Sequence, residues 1–98
     1  MLLLTAFLEC AEENRETLRS AAAACAKQTR EEPGCLEYRF YEDIENPGKF
    51  VFVERWRDEH ALDAHLASPH LSVFQQASEP LVNQRSGVLY TIGESRTL

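Results

Sequence analysis

The sequence predicts a single α+β domain, residues 1–98, in which helices cover one face of an antiparallel sheet. The predicted element order is β-α-β-β-α-α-β, the ferredoxin-like pattern with its second helix broken in two. Three observations lead to this fold class. A chain of 98 residues can bury one core. Short β-branched and aromatic runs alternate with segments whose apolar residues recur at helical spacing. Two Pro-Gly pairs, 33–34 and 47–48, mark places where elements end.

The first half of the chain predicts a strand, a long helix and a hairpin. Residues 2–8 are apolar but lack the charged start and cleavage site of a signal peptide, so we expect a first strand there. Acidic residues crowd the start of a helix over 12–30 and basic ones its end, which suits the helix dipole. Strands over 35–42 and 50–57 follow. The stripe of the helix that faces the core comprises Leu18, Ala22, Cys25, Ala26 and Thr29.

The two strands of the hairpin can be aligned from their side chains. We expect aromatic residues to pair with one another on one face and opposite charges to pair on the other, because cross-strand pairs of both kinds are favourable. The second face mixes charged with apolar residues, which suits contact with a partner subunit. The predicted pairs are Tyr38–Glu54, Phe40–Phe52 and Leu36–Trp56 on the first face, and Glu37–Arg55 and Arg39–Val53 on the second.

The second half of the chain predicts two short helices and a last strand. Asp58 is placed to cap a helix that ends at Leu66. Ser68 is placed to cap the next helix, with Pro69 in its first position. A strand over 88–92 follows Gly87. The apolar stripe of the last helix comprises Leu71, Phe74, Ser78 and Leu81.

Composition excludes several classes of function. The net charge of −6 and the lack of clustered Lys and Arg disfavour nucleic acid and anionic membranes as partners. No apolar run is long enough to span a bilayer. The three cysteines are an odd number without a CxxC pair, which predicts reduced thiols in a cytoplasmic protein rather than zinc or disulfides.

Residues 65–71, HLASPHL, hold two of the three histidines. His65 lies about 60° from Leu62 at the edge of the inward stripe of its helix, whereas His60 points to solvent. An imidazole in that position can act as a general base, or it can be a structural histidine bonded to a backbone carbonyl. His70 can reach a pocket mouth or simply bond at a helix start. Five residues and a helix break should keep the two imidazoles apart, and no third ligand is evident, so we expect no metal.

Three further residues are candidates for a pocket on the aromatic face. A carboxylate among aromatic side chains is costly unless it has a partner, so Glu54 indicates either a functional site or a buried Glu–Tyr hydrogen bond. Trp56 is either a pocket wall or plain core. Tyr38 is a candidate hydrogen-bond donor to a substrate oxygen.

The stretch over residues 32–71, EPGCLEYRFYEDIENPGKFVFVERWRDEHALDAHLASPHL, resembles the antibiotic biosynthesis monooxygenase (ABM) family. The likeness rests on the Pro-Gly before the second strand, the Glu-x-Trp ending the third, and Ala-His-x-x-Ser-Pro-His. It implies a homodimer with a barrel-like core and a pocket in each subunit. The family includes cofactor-independent oxygenases of phenols and quinols, haem degraders and a sugar-phosphate isomerase. The tryptophan that lines the oxygenase pocket corresponds to Trp56, and a pocket asparagine corresponds to Phe52.

The leading interpretation, which rests on this resemblance together with the cysteine and histidine patterns, is a cytoplasmic, homodimeric monooxygenase that uses no cofactor and acts with O₂ on a hydroquinone or polycyclic phenol. His65 and Glu54 would be catalytic; Trp56, Tyr38, Phe52 and His70 would bind substrate. A haem-ligand position falls on Gln75, which ligates iron poorly, so haem is not expected. The first alternative is an isomerase of a small carbonyl compound such as a phosphosugar, although Arg85 is the one basic candidate for its pocket. The second is a dimeric protein that binds a small ligand without catalysis.

Overall fold

The fold class predicted from the sequence is confirmed by a computed structural model that describes residues 1–98. Four strands form one antiparallel sheet in the order β2-β3-β1-β4. The core lies between the inner face of this sheet and the helices. The elements are β1 (Leu2–Cys10), a 3-10 turn (Glu12–Asn14), α1 (Arg15–Thr29), β2 (Cys35–Glu42), β3 (Lys49–Trp56), α2 (Glu59–Leu66), α3 (Pro69–Ser78) and β4 (Val82–Thr91).

The register of the hairpin between β2 and β3 is confirmed at four of the five predicted pairs. Tyr38 lies opposite Glu54, and Glu37 lies opposite Arg55 with 2.7 Å between its carboxylate and the guanidinium. The predicted pair Leu36–Trp56 is wrong. The ladder shifts between Cys35 and Glu37, so Cys35 lies opposite Trp56, and the Leu36 side chain is 48% exposed.

Helices α2 and α3 begin at the predicted residues because their N-terminal caps form. The Asp58 carboxylate accepts a hydrogen bond from the backbone N–H of Ala61, and the Ser68 hydroxyl accepts one from that of Leu71. All five residues of the predicted α1 stripe are buried. In α3 the stripe is buried as far as Ser78, where the helix ends, so Leu81 lies beyond it.

The last strand is the element that the sequence predicts least well. It begins at Val82 rather than at residue 88, and Gly87 lies inside it. Residues 82–87, VNQRSG, resemble a loop because most of them are polar. They pair with β1 nonetheless, since β4 is an edge strand whose side chains are largely exposed, and polar residues are tolerated there.

The outer face of the sheet carries no helix. Four large apolar side chains on it, Phe7, Tyr41, Val88 and Tyr90, are each about half exposed, between 45% and 51%. The Glu37–Arg55 ion pair lies on the same face. An exposed apolar face of this kind fits the predicted contact with a partner subunit. Separately, none of the helices combines the length and the apolar composition needed to cross a membrane.

Candidate active site

An open cavity of about 370 Å³ lies between the inner face of the sheet on one side and α2 and α3 on the other. Its apolar lining consists of Leu4, Ala6, Leu8, Phe52, Leu66, Leu71 and Phe74. Its polar lining consists of Tyr38, Glu54, His65, Gln75, Arg85 and Ser86. A mostly apolar cavity with a few polar groups at one place is the usual form of a small-molecule site.

His65 lies at the inner end of this cavity and is 2% exposed, whereas His60 on the same helix is exposed, as predicted. The imidazole stacks on Trp56, with 4.7 Å between ring centroids, and lies edge-on to Tyr38 at 5.2 Å. Its Nδ1 is 2.7 Å from Oε2 of Glu32. Three contacts of this kind hold the ring in one orientation.

The hydrogen bond to Glu32 determines which nitrogen of His65 carries the proton. A carboxylate accepts hydrogen bonds, so Nδ1 is the protonated nitrogen and Nε2 keeps its lone pair. Nε2 has no hydrogen-bond partner in the protein, yet no fully buried side-chain nitrogen or oxygen is left without one. Nε2 therefore keeps some accessible surface, and the His65 side chain lines the cavity. Burial lowers the pKa of His65 below 6.5, and the Glu32 carboxylate opposes this shift only in part.

Glu32 is the site residue that sequence reasoning missed. It lies in the loop between α1 and β2, 33 positions before His65, and no periodicity connects the two. Hydrogen bonds fix its backbone: its N–H donates to Thr29 O at 3.0 Å, and its carbonyl accepts from Cys35 N at 3.1 Å. Gly34, with φ of +83°, lets this loop pack directly on Ala61 of α2. The one feature of the sequence that could have identified Glu32 is its position directly before the turn residues Pro33-Gly34.

His70 lies beside His65, which corrects the expectation that the two imidazoles stay apart. Its Nε2 is also 2.7 Å from Oε2 of Glu32, and the two imidazole centroids are 6.0 Å apart. The spacing argument failed because it considered α2 and α3 alone, whereas the loop carrying Glu32 bridges them. His70 does not line the cavity. It lines a separate groove between α1 and α3.

Glu54 lines the cavity beside His65 and is 3% exposed. Its Oε1 accepts a hydrogen bond of 3.0 Å from the indole N–H of Trp56. The Tyr38 hydroxyl lies near Cys25 Sγ instead, so the alternative of a buried Glu–Tyr hydrogen bond is not what forms. Burial raises the pKa of the Glu54 carboxyl from 4.5 to about 7, against the lowering effect of this bond. The cavity therefore presents two groups, His65 and Glu54, that can accept or return a proton near neutral pH.

The other three aromatic candidates take different positions. Phe52 lines the cavity and packs edge-on against Phe74 at 5.4 Å. Trp56 has no exposed surface and does not line the cavity; it supports His65 and Glu54 from behind. Tyr38 lines the cavity with its ring, but its hydroxyl lies 3.9 Å from Cys25 Sγ beneath α1, and burial raises its pKa.

The fold and this site define a small α+β domain with an apolar cavity and a buried histidine oriented by a carboxylate. Comparison with known proteins gives the family. The profile described as antibiotic biosynthesis monooxygenase matches residues 1–77, and the chain belongs to that family. The resemblance found in residues 32–71 is therefore confirmed.

A solved structure from Deinococcus radiodurans, described as a "putative antibiotic biosynthesis monooxygenase", is 31% identical and superposes with a TM-score of 0.94 over 100% of this chain and 98% of its own. The Bacillus subtilis protein named "Putative monooxygenase YcnE" is 29% identical over 93% of this chain and 96% of its own length. "Uncharacterized protein sll1783" of Synechocystis is 33% identical over 88% of this chain, which spans 59% of that relative's length. Of these three, the Deinococcus and Bacillus proteins carry the description "putative" monooxygenase.

Proposed function

We propose that the protein is a monooxygenase that uses no cofactor and acts with O₂ on a hydroquinone or polycyclic phenol, with His65 as general base. The observation that carries this proposal is the hydrogen bond of 2.7 Å from Nδ1 of His65 to Glu32, in an imidazole that lines an apolar cavity. A carboxylate on Nδ1 fixes the tautomer and stabilises the imidazolium that forms when Nε2 takes a proton. The same principle operates in serine hydrolases.

The chemistry begins with loss of a phenolic proton to Nε2 of His65. The anion is electron-rich and gives one electron to O₂, and the resulting radical pair combines at a ring carbon. Loss of water from the peroxide then gives a hydroxyquinone. For a hydroquinone the balance is one quinol plus O₂ to one hydroxyquinone plus water, so all electrons come from the substrate. The apolar walls formed by Phe52, Leu71 and Phe74 exclude water from the radical pair.

Glu54 has a second role in this scheme. With a pKa of about 7 it is partly protonated at neutral pH, so it can donate to the peroxide oxygen that departs as water. Since Trp56 fixes one carboxylate oxygen at 3.0 Å, the proton is held on the side that faces the cavity. The pair thus divides the work between a base with a lowered pKa and an acid with a raised one.

A second candidate is an isomerase of a small phosphorylated carbonyl compound. Arg85 is exposed on the cavity lining and makes no ion pair, so it is available to an anionic group. His65 and Glu54 would then move a proton between neighbouring carbons. We rank this activity second because one arginine among largely apolar walls is a weak phosphate site.

Oxygen consumption with a panel of reduced quinones tests the proposal. Each quinol is supplied to the purified protein under ¹⁸O₂, and uptake is measured against the autoxidation blank. The proposal expects enzyme-dependent uptake, one ¹⁸O atom in the product and no hydrogen peroxide. Peroxide in amounts equal to the oxygen consumed would show simple oxidation of the quinol and would contradict oxygenation. Turnover of sugar phosphates without oxygen uptake would favour the isomerase.

We also propose that the protein works as a homodimer through the outer face of the sheet. The exposed apolar residues there and the Glu37–Arg55 pair support a contact of substantial area. The candidate base lies on the opposite face, so each subunit would keep its own cavity.

A further inference from the structure

We infer that Glu32, His65 and His70 form a site for a divalent transition-metal ion of the Zn²⁺ type, and that filling it switches off the base. The site lies behind His65, on the side away from the cavity. Its existence follows from the geometry of the three residues alone. Its effect on turnover rests on the proposed function.

The three donor atoms already converge. Oε2 of Glu32 lies 2.7 Å from Nδ1 of His65 and 2.7 Å from Nε2 of His70, and all three ligand atoms lie within 4.8 Å of one another. Zinc takes nitrogen and carboxylate oxygen at about 2.0–2.2 Å in tetrahedral geometry, which separates ligand atoms by roughly 3.3 Å. Each of the two short contacts must therefore open by about 0.6 Å. Rotation of the Glu32 side chain, which is 13% exposed, can supply a movement of that size.

The donor set is suited to this class of ion. Two imidazoles and one carboxylate with an open fourth position favour Zn²⁺ and its neighbours over Mg²⁺ or Ca²⁺, which prefer oxygen ligands. No lysine or arginine pairs with Glu32; the hydrogen-bond partners of its carboxylate are the two histidines. No permanently charged side chain therefore competes with a bound ion for this carboxylate, and the net charge of −6 also favours cation binding.

An ion can reach the site without passing through the cavity. The His70 and Glu32 side chains are each 13% exposed, and His70 lines the groove between α1 and α3, which is open to solvent. The groove also leaves room for a water molecule as fourth ligand. His65 is 2% exposed and forms the inner wall of the site.

Metal binding changes the chemistry of His65 at its other nitrogen. In the metal-free protein Nδ1 carries the proton and Nε2 accepts one from the substrate. A metal on Nδ1 needs the lone pair of that nitrogen, so the proton must move to Nε2. Nε2 then donates a hydrogen bond to the cavity and can no longer accept a proton. One ion thus converts the base into a donor while the cavity keeps its shape.

Calorimetric titration of the reduced, tag-free protein with ZnCl₂ tests the site directly. We expect one ion per chain with a dissociation constant of micromolar order. His70→Gln removes one ligand yet keeps an N–H that can bond Glu32. It should weaken zinc binding by about 100-fold or more, because substitution of residues that merely support a ligand already costs about 10–100-fold in affinity. His60→Gln is the matched control, because His60 is exposed and outside the cluster; it should bind zinc as the parent does.

Turnover tests the switch. With the parent, oxygen uptake should fall in proportion to zinc occupancy and return when a chelator is added, whereas the uptake that remains in His70→Gln should not respond to the same zinc concentration. Absence of binding in the parent, or equal binding by His70→Gln, overturns the site. Binding that leaves parent turnover unchanged overturns the switch. A protein that binds zinc as expected but consumes no oxygen with any quinol keeps the site and refutes the proposed function.

Discussion

Because the Glu54 carboxyl is buried, the free energy of unfolding should depend on pH through its titration. The substitution Glu54→Gln should remove this part of the pH dependence. The pKa of Glu54 is raised from 4.5 to about 7, chiefly by desolvation. The folded state therefore holds a proton that the unfolded chain releases. The stabilising contribution of this proton is fully present below pH 4.5 and is lost as the pH rises through about 7.

The magnitude follows from the same pKa values. Each tenfold difference in proton affinity corresponds to about 1.4 kcal/mol. At pH 8, above both pKa values, the buried Glu54 carboxyl destabilises the folded state by about 3 kcal/mol relative to a solvated carboxyl. At pH 5 the same destabilisation is about 1 kcal/mol. Glu54→Gln keeps an oxygen for the 3.0 Å bond from Trp56 and cannot ionise. The variant should therefore gain about 2 kcal/mol relative to the parent between pH 5 and pH 8.

Urea unfolding of parent and variant at both pH values measures this change. Protein concentration is kept equal throughout, because dimerisation would make stability depend on it. Glu79→Gln, at an exposed position, is the control and should follow the parent at both pH values. The reasoning is refuted if the difference in free energy of unfolding between Glu54→Gln and the parent is the same at pH 5 and pH 8, since Glu54 would then titrate as a solvated carboxyl.

Three further outcomes are expected. Light scattering at micromolar concentration should give twice the chain mass, and a monomer would remove the basis for the proposed sheet-to-sheet contact. Glu32→Gln, whose amide can turn its N–H toward Nδ1 and reverse the tautomer of His65, should lower kcat by about 10²–10⁴ with little change in KM; an unchanged kcat would exclude a positioning role. Gly34→Ala places a Cβ 2.5 Å from that of Ala61 at a φ of +83°, so thermal unfolding should show a loss of about 1–3 kcal/mol, and an unchanged midpoint would contradict the close packing.

The elements that could be predicted are those whose signals are local. The α1 stripe, the caps Asp58 and Ser68, and the pairing of Tyr38 with Glu54 follow from spacing, cap chemistry and side-chain pairing, and each is confirmed. The start of β4 could not be predicted. Its first residues are polar, and their place in the sheet depends on pairing with β1, which lies more than 70 positions away in the chain.

The candidate site divides in the same way. His65 and Glu54 were found because a polar residue at a core-facing position is visible in a periodic pattern, and both are buried beside one cavity. Glu32 could not be found that way because loops have no period. Its role depends on how closely the loop packs on α2, which is a tertiary feature. Missing Glu32 also produced the wrong conclusion that His65 and His70 lie apart.

The most direct test of the account is the rate of oxygen uptake with a quinol for His65→Ala compared with His60→Ala. Loss of a positioned general base typically costs 10²–10⁴-fold in rate. We expect His65→Ala to fold and to retain the oligomeric state of the parent, yet to lose about that factor in kcat/KM, and His60→Ala to match the parent. If both variants consume oxygen at the rate of the parent, His65 is a structural histidine and the proposed mechanism is wrong.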